Sequence, residues 1–384
     1  MFRLKIDLFS PFFYPFLNFL LSYSLPLIVN VFLFKEEVYT NAIKIQNLGI
    51  ISFFCGVLFY YFLKKKKRSS NEKYYTTIHL FTCKIFLLIG TVLLLIYGFS
   101  TNIIISIING ENVEDLRRKA EIGWGFIQQP SIFFINFSFA ILLSYKFIKR
   151  KSILGNFLVM VLLSILIFFS TGHRTPALFL FIIYLGIYNK FWKINIFRVL
   201  IFSFLIFFSI SFLVYLRQGK KDTVSFLSKV TGYNYILYNS MFYRIGYSRI
   251  IELADKEVIP LLKGKEYANN LLYIIPRFLW RNKPLGFDYY YKNVLGYSFE
   301  GGGVPAGLFG SLYANFRYLG VVIGSFMVGF LYIFFYYRYK YSNELSKIFI
   351  YFFIMFNITS ISLFFSNIEI IILLYITKYE NIIN

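Results

Sequence analysis

Residues 153–170 read ILGNFLVMVLLSILIFFS, and Thr171-Gly172-His173-Arg174-Thr175-Pro176 follow. The first run carries no charge. As a helix rising about 1.5 Å per residue it would extend about 27 Å, close to the roughly 30 Å hydrocarbon core of a bilayer. Its apolar residues do not alternate with polar ones, which excludes a membrane β-strand. The turn after it holds a glycine, a histidine and an arginine, and Pro176 is suited to the first position of a second apolar helix. Two membrane spans joined by a tight polar turn are the unit from which the rest of the chain is read.

The pattern recurs in both directions. Apolar runs predict spans over Pro11–Phe34, Gln46–Leu63, Thr77–Phe99, Gly125–Tyr145, Ile153–Ser170, Arg174–Tyr188, Ile196–Leu216, Ala306–Tyr336 and Ile348–Phe365, with a last short one over Ile368–Ile376. A polar loop is expected over Thr101–Gly123. The composition agrees: 58% of residues are hydrophobic and 15% charged, where a soluble domain has about 45–50% apolar residues. The expected fold is all-α, a polytopic integral membrane protein of about ten transmembrane helices. It divides into a transmembrane bundle over 1–216 with seven spans, a large loop over 217–305, and C-terminal spans over 306–384.

The formal net charge is +22. Most of that charge sits in short connections such as Lys64-Lys65-Lys66-Lys67-Arg68, so it reads as topology and not as nucleic-acid binding. With the N-terminus inside, the short cytoplasmic segments hold about 19 basic residues and the short external ones about 6. That balance puts both termini in the cytoplasm and the loop outside the plasma membrane. Cys55 and Cys83 lie within apolar runs and suggest no disulfide framework. No cleavage site follows the first apolar run, which reads as a retained span.

The loop from Arg217 to Pro305 concentrates the polar chemistry. It is rich in tyrosine, as at Tyr233, Tyr235, Tyr238, Tyr243 and Tyr247, and so lacks the composition of a disordered linker. Two or three short helices lying at the membrane surface are expected, with tyrosine and tryptophan at headgroup depth. The loop is net positive, which suits anionic headgroups and an anionic substrate equally. Within it, Pro276-Arg277-Phe278-Leu279-Trp280-Arg281-Asn282-Lys283-Pro284 reads as a short helix between prolines, with Arg277 and Arg281 on one face and Lys283 beside them. Lipid headgroups would need only their charge; a diphosphate would use the planar fork of each arginine.

Arg174 stands at a helix start, where a cation opposes the helix dipole; a shared anion would explain it. Arg217 and Arg244 are further basic candidates. Seven carboxylates lie on the loop: Asp222, Glu252, Asp255, Glu257, Glu266, Asp288 and Glu300. Glu300 precedes Gly301-Gly302-Gly303, a flexible element suited to a general base. No phosphate-binding glycine loop, dinucleotide fingerprint or zinc-ligand spacing occurs, so no nucleotide, metal or other cofactor is expected.

Four features in order resemble the oligosaccharide repeat-unit polymerases of the Wzy type. They are the turn Ser170 to Arg174, the single large external loop, the run Ile275 to Pro284, and Gly307-Leu308-Phe309-Gly310-Ser311-Leu312-Tyr313-Ala314-Asn315-Phe316 followed by Gly320. Residue-level likeness spans about 170–329. Ser311 stands where members often have Glu, and Arg317 where they often have Gly. The resemblance implies a membrane glycosyltransferase without cofactor or metal. It would polymerise polyprenyl-pyrophosphate-linked repeat units into a surface polysaccharide (O-antigen, capsule or exopolysaccharide) at the outer face of the plasma membrane. Arg174, Arg217, Arg244, Arg277, Arg281, Lys283, Tyr313 and Asn315 would bind diphosphate or glycan, and Glu300 or Asp288 would act as base. Partners implied are the lipid-linked oligosaccharide, membrane lipids, a chain-length regulator and a flippase. Two rivals stand beside this reading. One is a ligase-like glycan transferase, which would be expected to carry a loop histidine that this chain lacks. The other is a transporter of the lipid-linked unit, which would be expected to show internal repeats and broken helices.

Overall fold

The computed structural model describes residues 5–33, 35, 38–63, 74–76, 78–111, 113–149, 153–192, 194–195, 243–272, 280, 286–297 and 303–357. The side chains of Arg174 and several others in these ranges fall outside that description. The spans expected over Ile196–Leu216 and Ile368–Ile376 lie outside the described residues, as does the end of the one over Ile348–Phe365.

Continuous apolar sequence can satisfy its backbone polar groups in hydrocarbon only within a helix or a closed barrel, and the described residues are overwhelmingly helical. In chain order the helices are α1 (Phe13–Phe32), α2 (Thr40–Leu63), α3 (Leu80–Ser100), α4 (Ile103–Ile108), α5 (Glu114–Ile148), α6 (Ile153–Thr171) and α7 (Arg174–Phe191). Then come α8 (Arg249–Asp255), α9 (Lys265–Leu272), α10 (Phe287–Val294), α11 (Gly307–Tyr341) and α12 (Leu345–Asn357). A two-residue antiparallel pairing joins Lys5–Ile6 to Ile194–Asn195. Among the described residues five helices, α1, α2, α3, the Trp124–Ile148 part of α5, and α11, are long and apolar enough to cross a membrane. They display large apolar side chains outward, among them Phe62, Phe32, Leu319 and Leu88. A surface of that kind marks a membrane-embedded protein.

The described residues cluster into two compact units. The first takes those within 1–9, 70–234 and 339–352. In it α3 lies along α5, where Gly90 leaves room for the Ser131 carbonyl; a Cβ there would come within 2.9 Å. Polar side chains inside these helices bond back to their own backbone: Ser144 Oγ donates to Ala140 O at 2.8 Å and Thr171 Oγ1 to Ile167 O at 2.7 Å. That local bond is what makes a hydroxyl tolerable among apolar neighbours. Lys190, in the last turn of α7, donates to the carbonyls of Tyr339, Lys340 and Ser342. It thereby caps the C-terminus of α11, where backbone carbonyls lack helical partners and a cation is favoured.

The second unit takes the described residues within 10–69, 235–338 and 353–384. Its axis is the crossing of α2 with α11. A Cβ on Gly56 would lie 2.0 Å from the Phe326 carbonyl, and one on Gly329 would lie 2.0 Å from the Phe53 carbonyl. Reciprocal glycines bring the two backbones together, the way helices associate where lipid is as apolar as leucine. Tyr60 stacks on Tyr337 and meets Phe330 edge-on, and Phe59 meets Phe326. Each such ring pair adds about 0.5–1.5 kcal/mol beyond its area.

Three expected boundaries are corrected. The segment read as a polar loop over Thr101–Gly123 is mostly helical, holding α4 and the first turns of α5. α5 begins at Glu114, well before its apolar part, because a polar stretch need not end a helix that continues into a packed one. Pro176 falls at the third helical position, with His173 as the cap and Arg174 first; it remains in the turn whose amides have no helical acceptor. The span expected over Ala306–Tyr336 is two helices, because Arg317 leaves helical geometry at φ 56°, ψ −146°. The first part, Gly307–Phe316, folds back on the second: Cβ atoms on Gly320 and Gly324 would meet the Leu312 carbonyl at 2.5 Å and the Leu312 side chain at 2.3 Å. In a straight helix, residues eight apart are separated by about 12 Å.

Candidate functional site

The site of interest is built on the short helix Gly307–Phe316 in the second unit. Gly307 opens it at φ 67° with the Tyr23 hydroxyl 2.8 Å from where a Cβ would stand, so only glycine fits. The far end stops because its carbonyls have partners outside the helix. Leu262 N–H donates to Ala314 O at 3.2 Å and Lys263 N–H to Asn315 O at 3.0 Å. Gly264, at φ 84°, turns its own N–H to Asn315 Oδ1 at 3.1 Å.

Ser311 and Asn315 are four apart and share a face of this helix, while Tyr313 points away from both. Each face meets one loop carboxylate. On one side Glu266 is 3% exposed; its Oε2 accepts from Tyr291 Oη and Asn315 Nδ2, both at 2.8 Å. Burial pushes its carboxyl up, and bonds from Tyr291, Ser311 and Asn315 oppose that shift. Tyr267 Oη lies 3.2 Å from Ser311 Oγ, within hydrogen-bond reach. On the other side Asp255, the last residue of α8, accepts from Tyr39 Oη at 2.7 Å, Asn41 Nδ2 at 2.6 Å and Tyr313 Oη. The bond to Asp255 and burial push the Tyr39 phenol up to about 12. The loop is thus clasped onto the start of α11 by two acids on opposite faces of one helix.

Asp288 lies in the first turn of α10 and is exposed, yet its carboxyl is pushed up to about 6 by burial and then by the charge of Glu266. Solvent at its surface limits the size of that shift; crowding and the neighbouring acid both act upward. Its backbone carbonyl accepts from Val304 N–H at 2.9 Å, and a Cβ on Gly303 would collide with the Asp288 side chain at 2.2 Å. Gly303 is therefore needed for close approach, which corrects its reading as part of a hinge. Glu300, the other expected base, lies outside the described residues, with Gly301 and Gly302.

Of the expected basic residues, Arg174 begins α7 after Gly172 turns the chain at φ 66°. Arg244 sits in the π-helical turn Tyr243–Ser248, where it and Arg249 act on the Tyr297 phenol. Arg217, Arg277, Arg281 and Lys283 lie outside the described residues. Of the run from Pro276 to Pro284 only Trp280 is described, and it is not helical; the short helix expected there otherwise lies outside the described residues. Tyr313 and Asn315 are brought together with acids, and their polar groups are engaged inside the protein. Tyr243 and Tyr247, expected at headgroup depth, are buried: Tyr243 Oη donates to Gln46 Oε1 at 2.6 Å and Tyr247 Oη to the Ala42 carbonyl at 2.8 Å.

Arg317, a departure noted in the sequence, holds the break in α11. Its Nη2 donates to the Ile259 carbonyl at 3.1 Å, and its guanidinium lies 5.6 Å from the centre of the Tyr313 ring. The backbone conformation belongs in practice to glycine and costs about 1–3 kcal/mol in any other residue. Glu252 is held below its usual range by Lys256 and Arg249, each 2.6 Å away, which makes it a poor base. Among the described residues no cluster of three or more His, Cys, Asp and Glu could hold a metal.

The sequence named Glu266 and Asp255 only as two of seven loop acids. The available signal was the run Ser311, Tyr313, Asn315 inside an otherwise apolar segment, since buried polar groups require partners. Comparison with protein-family models, with curated proteins and with solved structures finds no match.

Proposed function

We propose that this chain is a membrane glycosyltransferase that joins polyprenyl-pyrophosphate-linked oligosaccharide units into a surface polysaccharide. The observation that supports the reading best is the clasp of Glu266 on Ser311 and Asn315. It joins the polar loop to the very run that resembles the Wzy-type polymerases, and it does so with acids and phenols at the start of an apolar helix. In this reading about ten spans carry the loop on the outer face of the plasma membrane, with both termini in the cytoplasm.

The reaction breaks the bond between the anomeric carbon of the growing glycan and its diphosphate. A hydroxyl of a second lipid-linked unit forms the new bond to that carbon, and its proton passes to a carboxylate. Asp288 suits that role: a carboxyl raised to about 6 is largely ionised at neutral pH yet more basic than an ordinary aspartate. Glu300 is the alternative base. Tyr313 and Asn315 act as positioning residues, holding Asp255 and Glu266 in place. The departing diphosphate gains negative charge, which Arg174, Arg217, Arg244, Arg277, Arg281 and Lys283 would offset in a low-dielectric site. Two substrates anchored in one membrane also meet at a smaller entropic cost.

A deletion strain should lose long polymer and accumulate lipid-linked repeat units on the outer face. Complementation with wild type should restore polymer. Arg174→Lys and Arg281→Lys, each at normal membrane abundance, should restore about one hundredth of the rate, because lysine lacks the two-pronged donor. Polymer of normal length in the deletion strain would overturn the reading. Repeat units trapped on the cytoplasmic face would favour a transporter.

A further inference from the structure

Between α8 and α9 the chain reads Lys256-Glu257-Val258-Ile259-Pro260-Leu261-Leu262-Lys263-Gly264-Lys265, an apolar centre with basic residues at both ends. The fold divides that centre. Ile259 and Leu262 are buried in the second unit, whereas Val258 and Leu261 are 55% and 42% exposed. Aliphatic side chains held outward side by side are unfavourable in water and favourable against an apolar neighbour. The tyrosines expected at headgroup depth, Tyr243 and Tyr247, are buried, so the outward apolar surface of the described loop comes from a stretch that its aromatic pattern did not mark.

The connection is also prepared to leave water. Ile259 N–H donates to the Leu253 carbonyl at 3.1 Å, and the Ile259 carbonyl accepts from Arg317 Nη2 at 3.1 Å. Leu262 N–H donates to Ala314 O, and the Leu262 carbonyl accepts from Lys265 N–H at 3.0 Å. Lys263 and Gly264 give their N–H groups to the carbonyl and Oδ1 of Asn315. Pro260, between the two exposed residues, has no N–H to satisfy. These backbone groups need no solvent, which is the condition for irregular chain to approach hydrocarbon. The same bonds fix the place of the connection. Ala314, Asn315 and Arg317 immediately precede the long apolar part of α11, residues 318–341. Gly264 lies against the ring of Phe316, where a Cβ would come within 3.2 Å. Phe316, Tyr318 and Leu319 are exposed in turn, and Ile323 continues the outward apolar surface along the helix. The apolar surface of the connection is thus continuous with the surface that α11 shows to lipid.

Charge selects the kind of lipid. Lys263 and Lys265 are exposed, while Lys256 is paired with Glu252 at 2.6 Å. Glu257 is the one acid from 256 to 265. A net positive edge beside an apolar tip attracts anionic headgroups, and lysine stems can lie along the apolar surface with the ammonium in the headgroup layer. We propose that the segment 256–265 docks on the membrane at the Tyr318 end of α11, with Val258 and Leu261 in the interface and Lys263 and Lys265 on anionic phospholipid headgroups. Docking of this kind needs only the membrane setting and does not depend on the glycosyltransferase reading.

The test uses the full-length protein with Cys55 and Cys83 replaced by alanine, and with Leu261→Cys or Val258→Cys carrying a small fluorophore. It is placed in nanodiscs of phosphatidylcholine and phosphatidylglycerol. A nitroxide near the headgroup end of the acyl chain, carried on either lipid at equal mole fraction, reports lipid contact; acrylamide reports contact with water. Ile323→Cys, on the outward surface of α11, is the reference for lipid contact. Both loop positions should be quenched by nitroxide lipid and shielded from acrylamide. Nitroxide on phosphatidylglycerol should quench about twofold or more above nitroxide on phosphatidylcholine. Lys263→Gln with Lys265→Gln should remove that preference and leave the quenching by lipid. Quenching by acrylamide and not by nitroxide lipid would place the segment in water and overturn docking. Equal quenching by the two lipids with both lysines present would overturn the anionic-headgroup assignment. Protection from both quenchers when two chains share a nanodisc would make a second copy the occupant, and lipid docking would fall.

Discussion

At the scale of single residues, Asp288 and Glu266 divide the acid chemistry. Glu266 is enclosed and bonded by Tyr291 and Asn315, so its role is to hold; Asp288 keeps access to solvent and a raised carboxyl, so it can exchange a proton. If Asp288 is the base, polymer formation in membranes should fall with an acidic limb centred near pH 6, and Asp288→Asn should abolish activity across the range. Stability has its own sign. The folded value lies above the ordinary 3.8, so the folded state keeps this proton to higher pH than the unfolded chain does. The contribution is fully present below about pH 4 and is lost as pH rises to about 6. Asp288→Asn should therefore gain on wild type in melting temperature between pH 4 and 7, by under about 1 kcal/mol after solvent screening. An unchanged difference across that interval would show that the carboxyl is not raised. Sequence alone did not separate Glu266 from Glu252 or Glu257, because what buries Glu266 is a bond to Asn315, 49 residues away. Hydropathy and spacing see only what is local.

At the scale of elements, apolar length located the helices well and their ends poorly. Glu114 to Gly123 reads as loop because its residues are polar, yet α5 simply continues beyond its apolar part. Conversely, the run from Ala306 to Tyr336 reads as one span because its apolarity is nearly continuous. The break at Arg317 is a backbone event at a non-glycine residue, and no composition signal accompanies it. What sequence does contain, read after the fold is known, is the pair Gly56 and Gly329. Each meets a carbonyl of the other helix at a distance that no side chain could occupy. Gly56→Leu or Gly329→Leu should separate α2 from α11, with a loss of at least about 1–3 kcal/mol, the usual cost of overpacking. Thermal unfolding in detergent measures this directly. Gly125→Leu is the control: nothing lies within 4 Å of its Cβ position, and its melting temperature should stay near wild type. A wild-type melting temperature in both crossing variants would rule out the close approach.

At the scale of the molecule, the five long apolar helices among the described residues and their outward apolar side chains fix the setting as a membrane, and the proposed orientation rests on the distribution of positive charge. The orientation matters more to the proposed mechanism than the exact number of spans, because in that proposal a lipid-linked donor on the outer face would meet Asp288 only if the loop is there. Lys265 is a suitable reporter: it begins α9, is exposed, and stands next to Glu266 in the clasp. In a background with Cys55 and Cys83 replaced by alanine, Lys265→Cys should react with an impermeant maleimide in intact cells, after outer-membrane permeabilisation where one exists. A cysteine at Lys340, at the opposite end of α11 and exposed, should react only after lysis. The second site makes the result directional, since a helix of 24 residues from Tyr318 to Tyr341 extends about 36 Å and must place its ends on opposite faces if it crosses. Reaction of both sites in intact cells would mean that α11 does not span. Reaction of Lys340→Cys alone would invert the topology, put the acids in the cytoplasm, and remove the proposed outer-face reaction with them.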